Sequence, residues 1–306
     1  MKTIKLGKSG LTVPTLAVGC MRYVTLGEKD AEKLIGTALE NGANFFDHAD
    51  IYGGGGSEEV FAKAIHMSPA VREKIFLQSK CGIVPGKYYD FSKEHILSSV
   101  EGILKRLQTE YLDVLLLHRP DALMDPEEVA EAFDALHTSG KVRNFGVSNM
   151  NPMQIQLLEK YLHQPIVANQ LQLSPTNATM ITAGIHVNMG DAGAVNRDGS
   201  ILDYCRLNDI TIQTWSPFLY GMMEGVYLGN PDYPELNAKI DEIAEKYGVT
   251  NSTVVIAWIL RHPAKFQPVI GSTTPSRLLD CIRATEITLT KQEWYEIYLS
   301  AGNILP

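Results

Sequence analysis

Cysteine is scarce in this sequence and basic charge is in deficit. Four cysteines, Cys20, Cys81, Cys205 and Cys281, are spread over 306 residues, none at the spacing of a CxxC pair. A disulfide scaffold and a thiolate metal clip are thereby excluded, and reduced thiols in a cytoplasmic protein are expected, with no metal. Lys and Arg number 27 against 35 Asp and Glu, a net charge of −8. Binding nucleic acid rests on neutralising phosphates, so no such partner is expected; a small basic site for a phosphorylated cofactor is still compatible. No apolar run is long enough to span a bilayer, so no membrane partner is expected. The opening MKTIKLGKSGLTVPTLAVGC has lysines but no continuous apolar core, which argues against a signal peptide. There is no low-complexity linker, and one domain over residues 1–306 is expected. A GxGxxG fingerprint is also missing. The place after the first apolar run holds Gly19-Cys20-Met21-Arg22, and Gly53-Gly54-Gly55-Gly56 has no Walker lysine.

What is present is a beat. After a hairpin of Thr3–Leu6 and Leu11–Val13 around the turn Gly7–Gly10, short apolar runs alternate with amphipathic stretches of helical period. The runs are Leu16–Gly19, Asn44–Asp47, Ile75–Lys80, Asp113–His118, Asn144–Val147, Ile166–Gln170, Thr211–Thr214 and Pro268–Ile270. Helical stretches include Asp30–Asn41, Ser57–Met67, Ser92–Gln108, Pro126–Ser139 and Pro234–Tyr247, several opened by N-cap signals such as Ser92 and Asp125-Pro126. Eight such beats predict an α/β fold, a closed (β/α)8 TIM barrel rather than an open sheet. Residues 176–199 read as a long loop over the barrel mouth, and Asn251–His262 and Lys291–Ala301 as helices outside the repeat.

In such a barrel chemistry belongs to the C-terminal strand ends. There the sequence sets Asp47, with Tyr52 in the next loop, then Lys80 and His118, each closing an apolar run. A structural Asp47–Lys80 ion pair accounts for two of them, because burying either charge alone is costly. Carbonyl reduction accounts for all. It needs a hydride on carbon and a proton on oxygen. Tyr52 can donate the proton, and an adjacent Lys80 ammonium lowers its pKa of about 10 toward working pH; two units require about 2.7 kcal/mol. Asp47 would aim Lys80, and His118 would orient the substrate oxygen. No side chain stores a hydride, so a cofactor must supply it.

These residues carry a specific resemblance. Asp47-His48-Ala49-Asp50-Ile51-Tyr52-Gly53 resembles the aldo-keto reductase signature Asp-x-Ala-x-x-Tyr-Gly. Gln78-Ser79-Lys80-Cys81-Gly82, Leu115-Leu116-Leu117-His118-Arg119-Pro120 and Gly140–Asn149 resemble further segments of that family, nearest its bacterial YdhF-like branch, from the hairpin to Arg283. The resemblance implies an NADPH-dependent reductase of aldehydes or ketones. It implies cofactor contacts at Gly19, Cys20 and Met21 after the first strand. Ser148, Asn149 and Gln170 would take the nicotinamide carboxamide, Trp215 its ring face, and Ser216, Pro217, Phe218 and Leu219 the pyrophosphate. Gly271, Ser272, Thr273 and Arg277 would hold the adenosine 2′-phosphate, with Asp280 and Cys281 near the adenine. An arginine fork suits a phosphate, which favours NADPH over NADH. The sequence departs from the family at His48 and at Cys281, where many relatives have Asn. It also lacks a lysine near Ser272. Tyr23, Tyr88, Tyr89, Met180 and Tyr220, with loops 82–91 and 176–199, are the substrate-wall candidates, and an aromatic wall would favour apolar carbonyls. Two alternatives stay open. One is an NADP(H)-binding sensor or regulatory subunit with little turnover; the other is a barrel hydrolase or lyase without nicotinamide. Oligomeric state is not legible.

Overall fold

A computed structural model describes residues 1–306. Eight parallel strands close a barrel in chain order: Ala17–Gly19, Phe45–Asp47, Phe76–Cys81, Leu112–Leu117, Val142–Ser148, Ile166–Gln172, Thr211–Trp215 and Gln267–Ile270. The last strand pairs with the first through Val269 and Ala17, so no edge is left unpaired. Each predicted apolar run is one of these strands, with ends shifted by one or two residues.

The alternation of side chains along each strand divides two cores. Ala17, Phe45, Val114, Leu116, Ala168 and Val269 face the barrel interior, joined by Leu6 and Val13 of the hairpin Thr3–Lys5 and Thr12–Pro14. The hairpin therefore plugs the barrel floor. Val18, Phe46, Leu77, Leu115, Leu117 and Ile270 face outward into the larger core under the helices. Helices Glu28–Glu40, Gly56–Ala64, Lys93–Leu107, Pro126–Thr138 and Pro234–Tyr247 bury one stripe each against that layer. Two of these starts are capped as the sequence implies: Ser92 accepts from the His95 amide, and Asp125 accepts from the Glu127 amide ahead of Pro126.

The stretch 176–199 differs from its reading as a loop over the mouth. It contains a helix, Thr179–Ile185, that buries Met180 and Ile181. The Thr182 hydroxyl pairs with the Tyr298 hydroxyl at 2.8 Å, and the His186 ring reaches the Ile304 carbonyl at 2.7 Å. These contacts tie the segment to the C-terminal helix Lys291–Ser300 and to the tail beyond it.

Candidate active site

Asp47 ends the second strand, and its neighbour across the ladder is Gln78. Lys80 lies two residues farther along the third strand, so both side chains point inward at adjacent levels. The Lys80 ammonium is fully buried and donates to both Asp47 oxygens at 2.7 and 2.8 Å, to the His48 carbonyl at 2.8 Å and to the Tyr52 hydroxyl at 3.3 Å. Its four acceptors offset the desolvation of a charge that no water reaches. Tyr52 is set by the turn that follows it. Gly53 has φ of 59°, where a side chain would meet Val24 at 2.7 Å, and Gly55 has φ of 93°, where one would meet Arg106 at 2.6 Å. The glycine run thus serves a left-handed turn that packs against both residues, which explains it without a phosphate. The His118 ring stands edge-on to Tyr52 with centroids 5.9 Å apart.

Burial dominates the titration of the group. It pushes the Tyr52 hydroxyl above its ordinary 10.0, and the Lys80 ammonium only offsets part of that rise. The expectation that Lys80 brings Tyr52 down toward neutral pH is therefore corrected: in the free protein Tyr52 keeps its proton. Burial also works to lower Lys80, but Asp47 and then Tyr52 outweigh it, and the ammonium sits above its ordinary value. His118 is held well below 6.5 by burial, then by Lys80 and Arg119, so its imidazole is neutral. Its Nδ1 is buried without a partner, and a neutral ring donates from one nitrogen only.

Beneath this group lies a layer that the sequence reading missed. Asp47 Oδ1 accepts from Gln78 Nε2 at 2.6 Å and from Gln170 Nε2 at 3.1 Å, besides Lys80. Gln78 and Gln213 exchange amide hydrogen bonds at 2.8 and 3.0 Å, Gln213 donates to Gln267 at 3.0 Å, and Gln267 donates to the Pro14 carbonyl at 2.7 Å. An amide chain runs from the hairpin plug to the carboxylate. The signal was present as glutamines inside apolar runs, and the pairing Gln170–Gln213–Gln267 places them at one level.

Above the group opens a cavity of about 680 Å³, within the range of small-molecule sites. Gly19, Met21, Asp47, Tyr52, His118, Ser148, Asn149, Gln170, Trp215, Ser216, Pro217, Phe218, Leu219, Gly271, Ser272, Arg277 and Cys281 line it. The Ser148 hydroxyl donates to the Gln170 carbonyl at 2.9 Å, Asn149 Nδ2 donates to the Ser148 hydroxyl at 2.7 Å, and Trp215 Nε1 donates to Asn149 Oδ1 at 3.3 Å. Asn149 and Ser216, each just past a strand end, have φ of 58° and 52°. Such left-handed backbone at non-glycine residues clusters at ligand sites. Cys20, Thr273 and Asp280 lie off the cavity surface; Cys20 is fully buried.

The substrate-wall candidates are corrected. Tyr23 packs into the core against Phe61, Met180 is buried, Tyr88 and Tyr89 are exposed on a two-stranded ribbon with Ile83–Val84, and Tyr220 packs at a tilt against Tyr233. None of these five lines the cavity, whose apolar wall is Ile51, Ile83, Phe218, Leu219, Met223 and Val226. Two further cations face it unforeseen. Arg22 donates to the Gly271 carbonyl at 3.3 Å, and the Arg119 guanidinium lies 5.6 Å from the Trp215 ring centroid.

The model of the Aldo/keto reductase family matches residues 15–298. The uncharacterized oxidoreductase YcsN of Bacillus subtilis is 38% identical over 293 residues, 92% of this chain and 91% of its own. Oxidoreductase YdhF of Escherichia coli is 36% identical over 272 residues, 86% of this chain and 84% of its own. Among solved structures, the thermostable aldo-keto reductase Tm1743, crystallised with the inhibitor epalrestat, is similar with a TM-score of 0.78 and 26% identity, over 98% of this chain and 100% of that one.

Proposed function

Since the chain belongs to the aldo/keto reductase family, we propose that it is an NADPH-dependent reductase of aldehydes or ketones, one catalytic domain acting in the cytoplasm. The observation that carries this reading is the buried Lys80 ammonium, held by Asp47 and donating to the Tyr52 hydroxyl under an open cavity. The donor set fits the cofactor. Ser148, Asn149 and Gln170 would hold a carboxamide beside Trp215, and Arg277 with Arg22 would hold the phosphate at the Gly271–Ser272 edge. When bound, the reduced nicotinamide supplies the hydride.

The protein's own part is the proton. Tyr52 enters protonated, as its raised pKa requires, and gives its hydroxyl proton to the carbonyl oxygen. The tyrosinate left behind lies within reach of Lys80, whose charge lowers the cost of forming it in a dry site. Asp47 keeps that ammonium in place. A neutral His118 donates to the same substrate oxygen and fixes its orientation without adding a second cation. NADPH oxidation followed at 340 nm over aldehydes, quinones and ketones, beside NADH, tests the reading. Tyr52→Phe is expected to cut kcat by roughly 100-fold or more, with NADPH titration confirming a folded protein. Near-native turnover by that variant would sink the mechanism, and NADPH binding without any turnover would favour the sensor reading.

A further inference from the structure

The cations of the cavity do not all stand at the edge where the proposed cofactor's 2′-phosphate would lie. Arg22, Arg119 and Arg277 line it, and its one carboxylate, Asp47, is already matched by Lys80. Arg22 and Arg277 stand at the Gly271–Ser272 edge, where the phosphorylated end of the cofactor is read. Arg119 stands elsewhere. It follows His118 at the end of the fourth strand, while Trp215 ends the seventh, three strands farther round the barrel. A guanidinium 5.6 Å from that indole ring therefore reaches across the mouth of the cavity that Tyr52 and Trp215 also line. It makes no hydrogen bond and no ion pair with the chain.

Filling this cavity with a neutral molecule would strip water from Arg119 and leave an uncompensated cation, which is costly. A carboxylate would remove that cost, because its two oxygens match the planar fork. We propose that Arg119 sets substrate specificity by receiving a carboxylate carried by the carbonyl substrate. The carboxylate is a spectator: the aldehyde carbon takes the hydride, its oxygen takes the Tyr52 proton, and the product is a hydroxy acid. The apolar wall formed by Ile51, Ile83 and Met223 suits the short carbon chain between the two groups. This inference rests on the reductase reading and replaces the expectation of purely apolar carbonyls.

The test compares 4-oxobutanoate with its methyl ester, under NADPH, in the wild type, Arg119→Met and Arg119→Lys. The wild-type kcat/KM is expected to favour the acid by more than tenfold. That acid-to-ester ratio should fall at least tenfold in Arg119→Met, through KM, and recover in part in Arg119→Lys. A wild type that prefers the ester, or a ratio unmoved by Arg119→Met, overturns the assignment. So does a loss that falls on the dissociation constant of NADPH, which would give Arg119 to the cofactor. If neither aldehyde is reduced by a protein that binds NADPH, the reductase reading is decided by the wider panel of aldehydes, quinones and ketones. Calorimetry of 4-hydroxybutanoate on the NADP+ complex then decides the anion site by itself. Binding at least tenfold weaker in Arg119→Met supports it, and equal binding refutes it.

Discussion

The glutamine layer beneath Asp47 and the rim above it are built from similar polar side chains in opposite states. In the layer, Gln78, Gln170, Gln213 and Gln267 are fully or nearly fully buried and bonded to one another, to Asp47 and to the hairpin plug. At the rim, Arg119 and Arg277 face the cavity with no hydrogen-bond or ion-pair partner in the chain. Gln78, Gln213 and Gln267 cannot bind a ligand without breaking these bonds, so they serve to hold Asp47 in one orientation, and Gln170 alone of the four also faces the cavity. An unsaturated rim beside open space is where a ligand completes the set. Geometry is stored below and recognition is offered above.

The largest expected effect breaks the joint between the two. Asp47→Asn removes the carboxylate and leaves the Lys80 ammonium buried with neutral acceptors, which should cost about 3–5 kcal/mol of folding stability in denaturant unfolding. The sign with pH follows from Lys80. Its folded pKa lies above the unfolded 10.5, so its contribution is fully present below 10.5 and is lost as pH rises through the folded value. The gap between wild type and variant should therefore hold through neutral pH and narrow in strong alkali. A gap below 1 kcal/mol at neutral pH, taken as roughly the worth of an exposed pair, would mean that the site is wet.

The next effect belongs to the rim. Arg277→Ala should weaken NADPH roughly 10- to 100-fold, the worth of a charge-assisted contact, with NADH affected far less. Fluorescence titration of both cofactors reads the difference, and equal losses would move the phosphate elsewhere. In the layer, Gln78→Met takes one donor from Asp47 and one of the two partners from each Gln213 amide atom, which keep Gln170 and Gln267, a cost of about 0.5–1.5 kcal/mol per lost bond. The activity should fall with the stability, because the same bond aims the carboxylate. A stable variant with unchanged kcat would reduce the layer to filler.

The two regions were unequally legible in the sequence. The eight strands were readable because each is a short apolar run between helical stretches, and the group Asp47, Tyr52, Lys80 and His118 because each polar residue closes such a run or follows it. The glutamine layer was not, because a Gln within a strand reads equally as solvent-facing until the barrel closes and the register brings Gln170, Gln213 and Gln267 level. Tyr88 and Tyr89 misled for the converse reason: aromatic side chains near a mouth need not face it, and the ribbon twists these outward. Helix Thr179–Ile185 escaped because its hold is tertiary, through Tyr298 and the C-terminal Ile304 carbonyl, amid Gly and Asn that read locally as loop. The direction of the Tyr52 shift was missed because the sequence names the neighbouring cation but not the depth of burial that outweighs it.

The smallest effect sharpens the comparison by supplying a counterexample to it. His48 also has unpartnered polar atoms, both ring nitrogens, yet it is fully buried in the outer wall with its ring 4.6 Å from that of Phe61 and does not touch the cavity. If lack of a partner alone marked function, His48 would qualify; by the argument above it is only a cost of burial. That cost titrates. Burial, then Lys80, lowers its pKa from 6.5 to about 3, so below 6.5 the unfolded chain binds a proton that the folded one refuses. Stability should therefore drop as pH falls, by up to about 1.4 kcal/mol per unit from this residue. His48→Leu removes that proton. Unfolding free energies of wild type and variant, measured from pH 7 down to 4, should diverge on the acid side, with the variant falling less steeply. Residual slope should persist in the variant, since His118 is depressed in the same direction. Parallel curves would mean that the folded protein protonates His48 readily, and would place its ring within reach of water and of the site.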